Sequence, residues 1–326
     1  MGYLVVLKNN EEFEAVSNKT ILESALDSRV SLEYSCQTGR CKICMCTLLE
    51  GSVLPGKDDS LSDEERELNK ILTCQAIPTS NIKVDIEELG AYADLEIKNI
   101  PVKISKIDFL SKNIVKLTLR SPPSNCLIFI PGQYIKLAYK DINRSYSIAN
   151  SQREDYTIDL IIKRVEDGKM SDFIFNTAAI NDLLRIEGPF GTFGWRENLP
   201  KTIILLATGT GIAPILSLIE SQYFDQKNLY LYWGNRAAED FFDLPPNVEK
   251  KVKLTKVISR NNKETDCKKR YVQDMAVNDH NNDLSEAAVY ACGLLEMIED
   301  AKQLFLKNGL PDDRFFSDAF VSSGEV

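Results

Sequence analysis

The chain has 326 residues, 44% of them hydrophobic and 27% charged, with a net charge of −9 and one histidine. This length exceeds one small domain and fits two or three. A single histidine leaves almost no room for histidine-based triads or histidine metal sites, and the acidic balance argues against nucleic acid. The charge is uneven: residues 1–93 carry 9 Lys+Arg against 16 Asp+Glu, −7 of the total. Such a region either steers toward a basic face on a partner or solvates surface helices.

The chain opens on strand-like Tyr3-Leu4-Val5-Val6-Leu7 rather than on a basic segment followed by an apolar signal core, so a cytoplasmic location is expected. Thr20-Ile21-Leu22-Glu23 is a capping box that predicts a short helix with apolar Ile21, Leu22, Ala25 and Leu26. Cys36, Cys41, Cys44 and Cys74 follow in the order C-x4-C-x2-C and a distant fourth, the plant-type [2Fe-2S] spacing. Four thiolates must surround two irons, so one tight loop supplies three ligands and a separate segment closes the set. Between them, Gly39 and small polar residues let backbone N–H groups turn toward sulfur. Zinc would suit a second C-x2-C to match Cys41 and Cys44, which is missing. Cys46, Cys126 and Cys267 fall off the spacing, and Cys46 reads as a packed thiol.

Ser62-Asp63-Glu64-Glu65 is a second capping box, leading toward Ile71-Leu72 and Cys74, and Ile82-Lys83-Val84-Asp85-Ile86 reads as a late strand. Together with the cysteine loop these elements resemble a β-grasp ferredoxin-type domain over 1–93, followed by a weakly periodic linker over 94–100. From 101 to 198 short alternating runs such as Ile114-Val115-Lys116-Leu117-Thr118-Leu119 and Tyr156-Thr157-Ile158-Asp159-Leu160-Ile161-Ile162 predict an antiparallel β-barrel. Thr202 to Ile219 is a stretch of 18 uncharged residues, but Thr208-Gly209-Thr210-Gly211-Ile212-Ala213-Pro214 interrupts it. It predicts a buried strand, a glycine turn and a helix rather than a membrane span. That order puts a helix N-terminus where a dinucleotide pyrophosphate binds, although G-x-G-x-x-P replaces the usual G-x-G-x-x-G. The next strand, Leu229 to Gly234, ends without an acid for a ribose hydroxyl, and Arg236 suits a 2′-phosphate equally well, so NADH and NADPH both stay open.

Arg144-Ser145-Tyr146-Ser147 and Gly168-Lys169-Met170-Ser171 resemble the R-x-Y-S and G-x-x-S flavin motifs of the ferredoxin-NADP reductase superfamily, and Gly188-Pro189-Phe190-Gly191 is similar to that family's barrel exit. The resemblance implies FAD, with Arg144 on its pyrophosphate, Tyr146 on the isoalloxazine and Ser147 near the reactive nitrogen. It also puts Ser145, Lys163, Gly168, Lys169, Met170 and Ser171 among the cofactor-binding residues. The module over 199–326 resembles the family's Rossmann-like, parallel-sheet NAD(P) domain. There Thr208, Gly209, Thr210, Gly211 and Pro214 form the turn, and Cys292, Gly293 and Met297 match the C-G-x-x-x-M motif, whose cysteine lies beside the nicotinamide. The usual prolines after the glycine are Leu294 and Leu295 here. Read from its apolar strand alone, Cys292 is equally a core thiol. The ending Phe316-Ser317-Asp318-Ala319-Phe320 resembles the family's, where an acid helps the flavin site and an aromatic covers the ring.

These motifs imply a multidomain α+β and α/β reductase that passes electrons from NAD(P)H through FAD and a [2Fe-2S] cluster to a protein partner, with Ser147, Cys292 and Asp318 in catalytic roles. Among fused reductases of this order the chain is most similar to those serving 3,6-dideoxyhexose synthesis, which implies NADH as donor and a pyridoxamine-phosphate-dependent dehydrase as acceptor. The reductase components of multicomponent oxygenases have the same modules. A redox-sensing regulator is the reading from another class, and the absence of a DNA-binding stretch speaks against it.

Overall fold

The computed structural model describes residues 2–57, 59–259 and 271–320, and the chain divides between Leu95 and Glu96 into two units. Cys267 lies outside the described residues.

In the first unit, strands β1 (Tyr3–Val6) and β2 (Glu12–Ala15) form a hairpin that sends Val5, Phe13 and Ala15 inward. Helix α1 (Ile21–Asp27) buries Ile21, Leu22 and Ala25, and the expected capping box is present. The Glu23 N–H donates to Thr20 Oγ1 at 3.1 Å and the Thr20 N–H to Glu23 Oε2 at 2.8 Å, which satisfies two orphan donors of the first turn. Then come β3 (Met45–Glu50), β4 (Val53–Leu54), α2 (Asp63–Glu67), β5 (Lys70–Leu72), β6 (Ile77–Pro78) and β7 (Ile82–Val84). The sheet order β2-β1-β7-β3-β5, with β1 and β7 parallel, is the β-grasp arrangement. Helix α2 starts on its own capping box at Ser62 and Glu65.

The second unit begins with β8 (Lys98–Ser111), followed by β9 (Ile114–Arg120), β10 (Tyr134–Tyr139), β11 (Ile142–Ser147), β12 (Thr157–Lys163), α3 (Lys169–Asp172) and β13 (Leu183–Phe190). Lys98, Asn99 and Ile100, expected in the linker, already pair with Gly188, Glu187 and Ile186 of β13. The antiparallel sheet runs β11-β10-β13-β8-β9-β12. Its edges meet where Ile148, just past β11, bridges Leu160 of β12, and Val115, Leu117, Ile135, Leu137, Leu160 and Ile186 fill the interior.

The remainder is a parallel sheet of β14 (Thr202–Thr208), β15 (Asn228–Asn235), β16 (Val252–Ile258), β17 (Ala287–Leu294) and β18 (Phe315–Phe320) in the order β16-β15-β14-β17-β18. Helices α4 (Ile212–Glu220), α5 (Pro246–Glu249), α6 (Val272–Asp279) and α7 (Leu295–Lys307) connect the strands. The uncharged stretch is β14, a glycine turn and α4, whose residues from Ile212 to Ile219 are all buried. No described helix is long and apolar enough to cross a membrane. Strand order reverses between β14 and β17, so their carboxyl ends open the crevice in which doubly wound sheets bind ligands.

Candidate functional site

Three groups of residues carry chemistry. The first is the cysteine loop, where Gln37, Gly39 and Lys42 take φ of 59, 76 and 57° and turn backbone donors inward. The Thr38 N–H points at Cys36 Sγ across 3.4 Å. The four sulfurs fall into two pairs: Cys44 donates to Cys74 at 3.2 Å, and Cys41 donates to Cys36. The bond from Cys41, helped by Thr38, pulls the Cys36 thiol down to about 4. Cys44 does the same for Cys74, helped by the Gly39 backbone and the Gln75 side chain. Cys41 and Cys44 are pushed up, each by its paired sulfur first.

Two thiolates per metal, in two adjacent pairs, is what a two-iron cluster needs. Thr73 Oγ1, next to Cys74, is buried without a hydrogen-bond partner, and cluster sulfur is an acceptor it lacks. The residues fit the cluster. Helix α2 and the residues ahead of it hold the loop, because Lys42 Nζ bonds Glu65 Oε2 at 2.8 Å and Ser60 Oγ, before the helix, donates to the Gly39 carbonyl. Cys46 pairs with Ile71 in the β3–β5 register, and burial pushes its thiol up to about 12.

The second group lies on the barrel. Arg144, Ser145, Tyr146 and Ser147 end β11. Arg144 and Ser145 are exposed, Tyr146 is half-buried and Ser147 is buried. Arg144 Nη1 donates to the neighbouring Asn143 carbonyl at 2.7 Å, and burial raises the Tyr146 phenol to about 12. Gly168 is the N-cap of α3 and has no side-chain cap bond. The first N–H groups of the helix, from Lys169, Met170 and Ser171, therefore lack a side-chain acceptor and suit a phosphate. Ser171 Oγ accepts the Val165 N–H at 2.9 Å and steadies the turn. A basic fork, an aromatic ring and an uncapped helix start on one barrel fit FAD. Lys163, at the end of β12, gives its charge to Asp240 beyond β15 at 2.7 Å.

The third group sits at the carboxyl ends of the parallel sheet. Gly209 to Gly211 form a 3-10 turn into α4, again without a side-chain cap. Trp233 Nε1 donates to the Gly209 carbonyl at 3.0 Å and holds the turn. Pro214 lies in the first turn of α4, where a missing N–H costs nothing. A Cβ on Gly211 would overlap the Cys292 carbonyl, and one on Gly293 would overlap Thr208 Oγ1. Thr208 Oγ1 accepts the Leu294 N–H at 3.2 Å. Glycine at both places lets turn and strand end touch. Cys292 is fully buried opposite Asp318 in the β17–β18 register, with Sγ 3.9 Å from Asp318 Oδ2. Burial first, and then the Asp318 charge, push this thiol well above its ordinary range. Met297 is buried in the first turn of α7 and Phe320 is half-buried at the end of β18. Thr210 is half-buried and Arg236 exposed.

Residues 5–79 match the 2Fe-2S iron-sulfur cluster binding domain, 101–195 the oxidoreductase FAD-binding domain and 205–303 the oxidoreductase NAD-binding domain. The chain is 37% identical to a CDP-6-deoxy-L-threo-D-glycero-4-hexulose-3-dehydrase reductase from Yersinia pestis, over 95% of this chain and 96% of that protein. It is 36% identical to protein RfbI of Salmonella typhimurium over 100% and 99% of the two chains. The chain belongs to the ferredoxin-fused FAD and NAD(P)H reductases. A cytochrome P450 reductase from Amycolatopsis shares the fold, with a TM-score of 0.77 at 24% identity over 99% of this chain and 100% of that one. This reductase accordingly uses a [2Fe-2S] cluster, FAD and NAD(P)H.

Sequence reading missed the ties between barrel and nucleotide domain in this reductase. Arg153 reaches Asp159 and Glu220, each at 3.0 Å. The Ser151 N–H donates to Glu220 Oε2 at 2.8 Å and Ser217 Oγ to the Asn150 carbonyl at 2.6 Å. Partners 67 and 69 positions apart leave no local signal. Gln75 was findable, because an amide beside a ligand cysteine is a natural donor to it.

Proposed function

We propose that this reductase takes a hydride from NADH and delivers single electrons to a pyridoxamine-phosphate-dependent [2Fe-2S] dehydrase that acts on a CDP-linked 4-keto-6-deoxyhexose. The supporting observation is the 37% identity to the Yersinia reductase, which spans 95% of the chain and so includes all three domains rather than one shared module. FAD, when bound, would supply the change from hydride to single-electron chemistry that neither a nicotinamide nor an iron pair performs alone.

In this reading Arg144 and the start of α3 at Gly168 to Ser171 hold the FAD pyrophosphate. Tyr146 would pack on the isoalloxazine, and Ser147 would donate to its reactive nitrogen. Ser145 completes the β11 edge. The turn from Thr208 to Gly211, with Pro214 behind it, receives the dinucleotide pyrophosphate on free N–H groups. Thr210, Cys292 and Gly293 would position the nicotinamide, with Met297 in the helix turn that follows β17. Cys292 works as an uncharged thiol, since both its burial and Asp318 oppose ionisation. Asp318, beside the Cys292 thiol, would place its carboxyl group near the transferring centre, and Phe320 would cover the flavin ring. Cys36, Cys41, Cys44 and Cys74 hold the cluster. The reading also assigns the protein to the cytoplasm, a reducing compartment in which cysteine ligands stay available to iron.

The test is an anaerobic assay of the purified protein with NADH, such a dehydrase and CDP-4-keto-6-deoxy-glucose. NADH consumption that requires both dehydrase and sugar is the expected result. Consumption that ignores both, in protein that still reduces cytochrome c, overturns the pathway while leaving the reductase intact.

A further inference from the structure

Gln37 stands between the ligand Cys36 and the donor Thr38, in the left-handed backbone region at φ 59°. Glycine takes that conformation without steric cost, yet the position carries a long amide side chain. Its carbonyl accepts Gln75 Nε2 at 3.5 Å, so its backbone faces the second ligand segment. Its own Nε2 is buried and has no hydrogen-bond partner. An amide nitrogen can only donate, and buried donors without acceptors are rare because each forfeits its bonds to water. The acceptor missing from the protein is what a cluster beside Cys36 provides, namely inorganic sulfide.

We propose that the Gln37 side-chain amide donates a hydrogen bond to the [2Fe-2S] cluster and raises its reduction potential. Reduction adds one negative charge to the cluster, so a donor aimed at its sulfur favours the reduced form more than the oxidised one. Thr38, Gly39 and Gln75 already bond the Cys36 and Cys74 sulfurs. Gln37 extends this donor shell with a group that folding alone leaves unused. The residue thereby sets how readily electrons leave the flavin.

The proposal rests on the cluster assignment, and iron and acid-labile sulfide analysis tests that separately. The experiment is potentiometric titration of Gln37→Met, a variant of similar size without a donor, followed by the EPR signal of the reduced cluster. A lower midpoint potential is expected, with a smaller deuterium-induced shift in the iron–sulfur Raman bands than the wild-type protein shows and unchanged reduction of FAD by NADH. An unchanged potential in a variant with full cluster content overturns the proposal. Should Gln37→Met assemble no cluster, Gln75→Met protein carrying 15N in its glutamine side-chain amides decides. Hyperfine coupling between the reduced cluster and a labelled amide supports the bond, and its absence overturns it.

Discussion

Cys292 is buried against a carboxylate, and both facts act in one direction. Burial removes water from a thiolate, and Asp318 at 3.9 Å repels it, so the folded chain holds this proton above the ordinary value of 9.0. The linkage has a definite sign. A group whose pKa is raised on folding contributes stability that is complete below the unfolded value and lost as pH climbs past it. The folded protein should therefore lose melting temperature steadily above about pH 9. Cys46, pushed up to about 12 by burial, adds to the same slope. Cys292→Ala should flatten part of this alkaline decline and Cys292→Ala with Cys46→Ala more of it, as read from melting curves between about pH 7 and pH 10.5. A decline equally steep in the double variant would mean that other groups cause it.

The glycine turn and the end of β17 form one surface only because both lack side chains where they touch. Gly293 has φ 147° and no room for a Cβ beside Thr208 Oγ1. Gly293→Ala combines that overlap with a backbone strain of about 1–3 kcal/mol. It should slow flavin reduction by NADH by more than about tenfold, as a misplacement near 1 Å does, while cluster and FAD absorption stay normal. Stopped-flow reduction with NADH measures it, and a wild-type rate would separate this contact from hydride transfer. These elements were legible in the sequence because each has a local cause. The strand, turn and helix from Thr202 to Glu220 follow from an apolar run broken by two glycines, and Thr20 and Ser62 announce their helices by side chains that bond three residues on. The start of β8 has no local signal, because the weakly periodic run over 94–100 leads straight into Pro101. It lies instead opposite Arg185 of β13, while β9 pairs with β8 only from Lys103 onward. At Pro101 one side of the strand is an edge that needs no ladder donor. The two-by-two pairing of the sulfurs and the Arg153–Glu220 tie escaped for a different reason: spacing identifies ligands, but only the folded chain brings Cys44 to Cys74 or α4 to the barrel.

On the scale of the whole molecule, the three domains divide the electron path so that two acceptors can report on different parts of it. Ferricyanide is a small anion that drains flavoproteins directly, whereas cytochrome c is a basic protein that suits the acidic cluster domain, where residues 1–93 hold −7 of the net −9. Cys41→Ser removes one of the paired sulfurs, so it should abolish NADH-dependent cytochrome c reduction while sparing ferricyanide reduction. Retained cytochrome c reduction in cluster-free protein would relocate the exit. In the wild-type protein the same contrast should appear with salt. Opposite charges steer encounter across distances that ions screen, with a Debye length of about 30 Å at 0.01 M and about 8 Å at 0.15 M. Cytochrome c reduction should therefore fall several-fold across that range, within the roughly 10- to 1,000-fold that steering contributes to association rates. Ferricyanide, repelled by a net-negative protein, should react at an equal or higher rate as salt rises. If both acceptors responded to salt alike, the acidic surface of the cluster domain would be a solvated face and not a docking field.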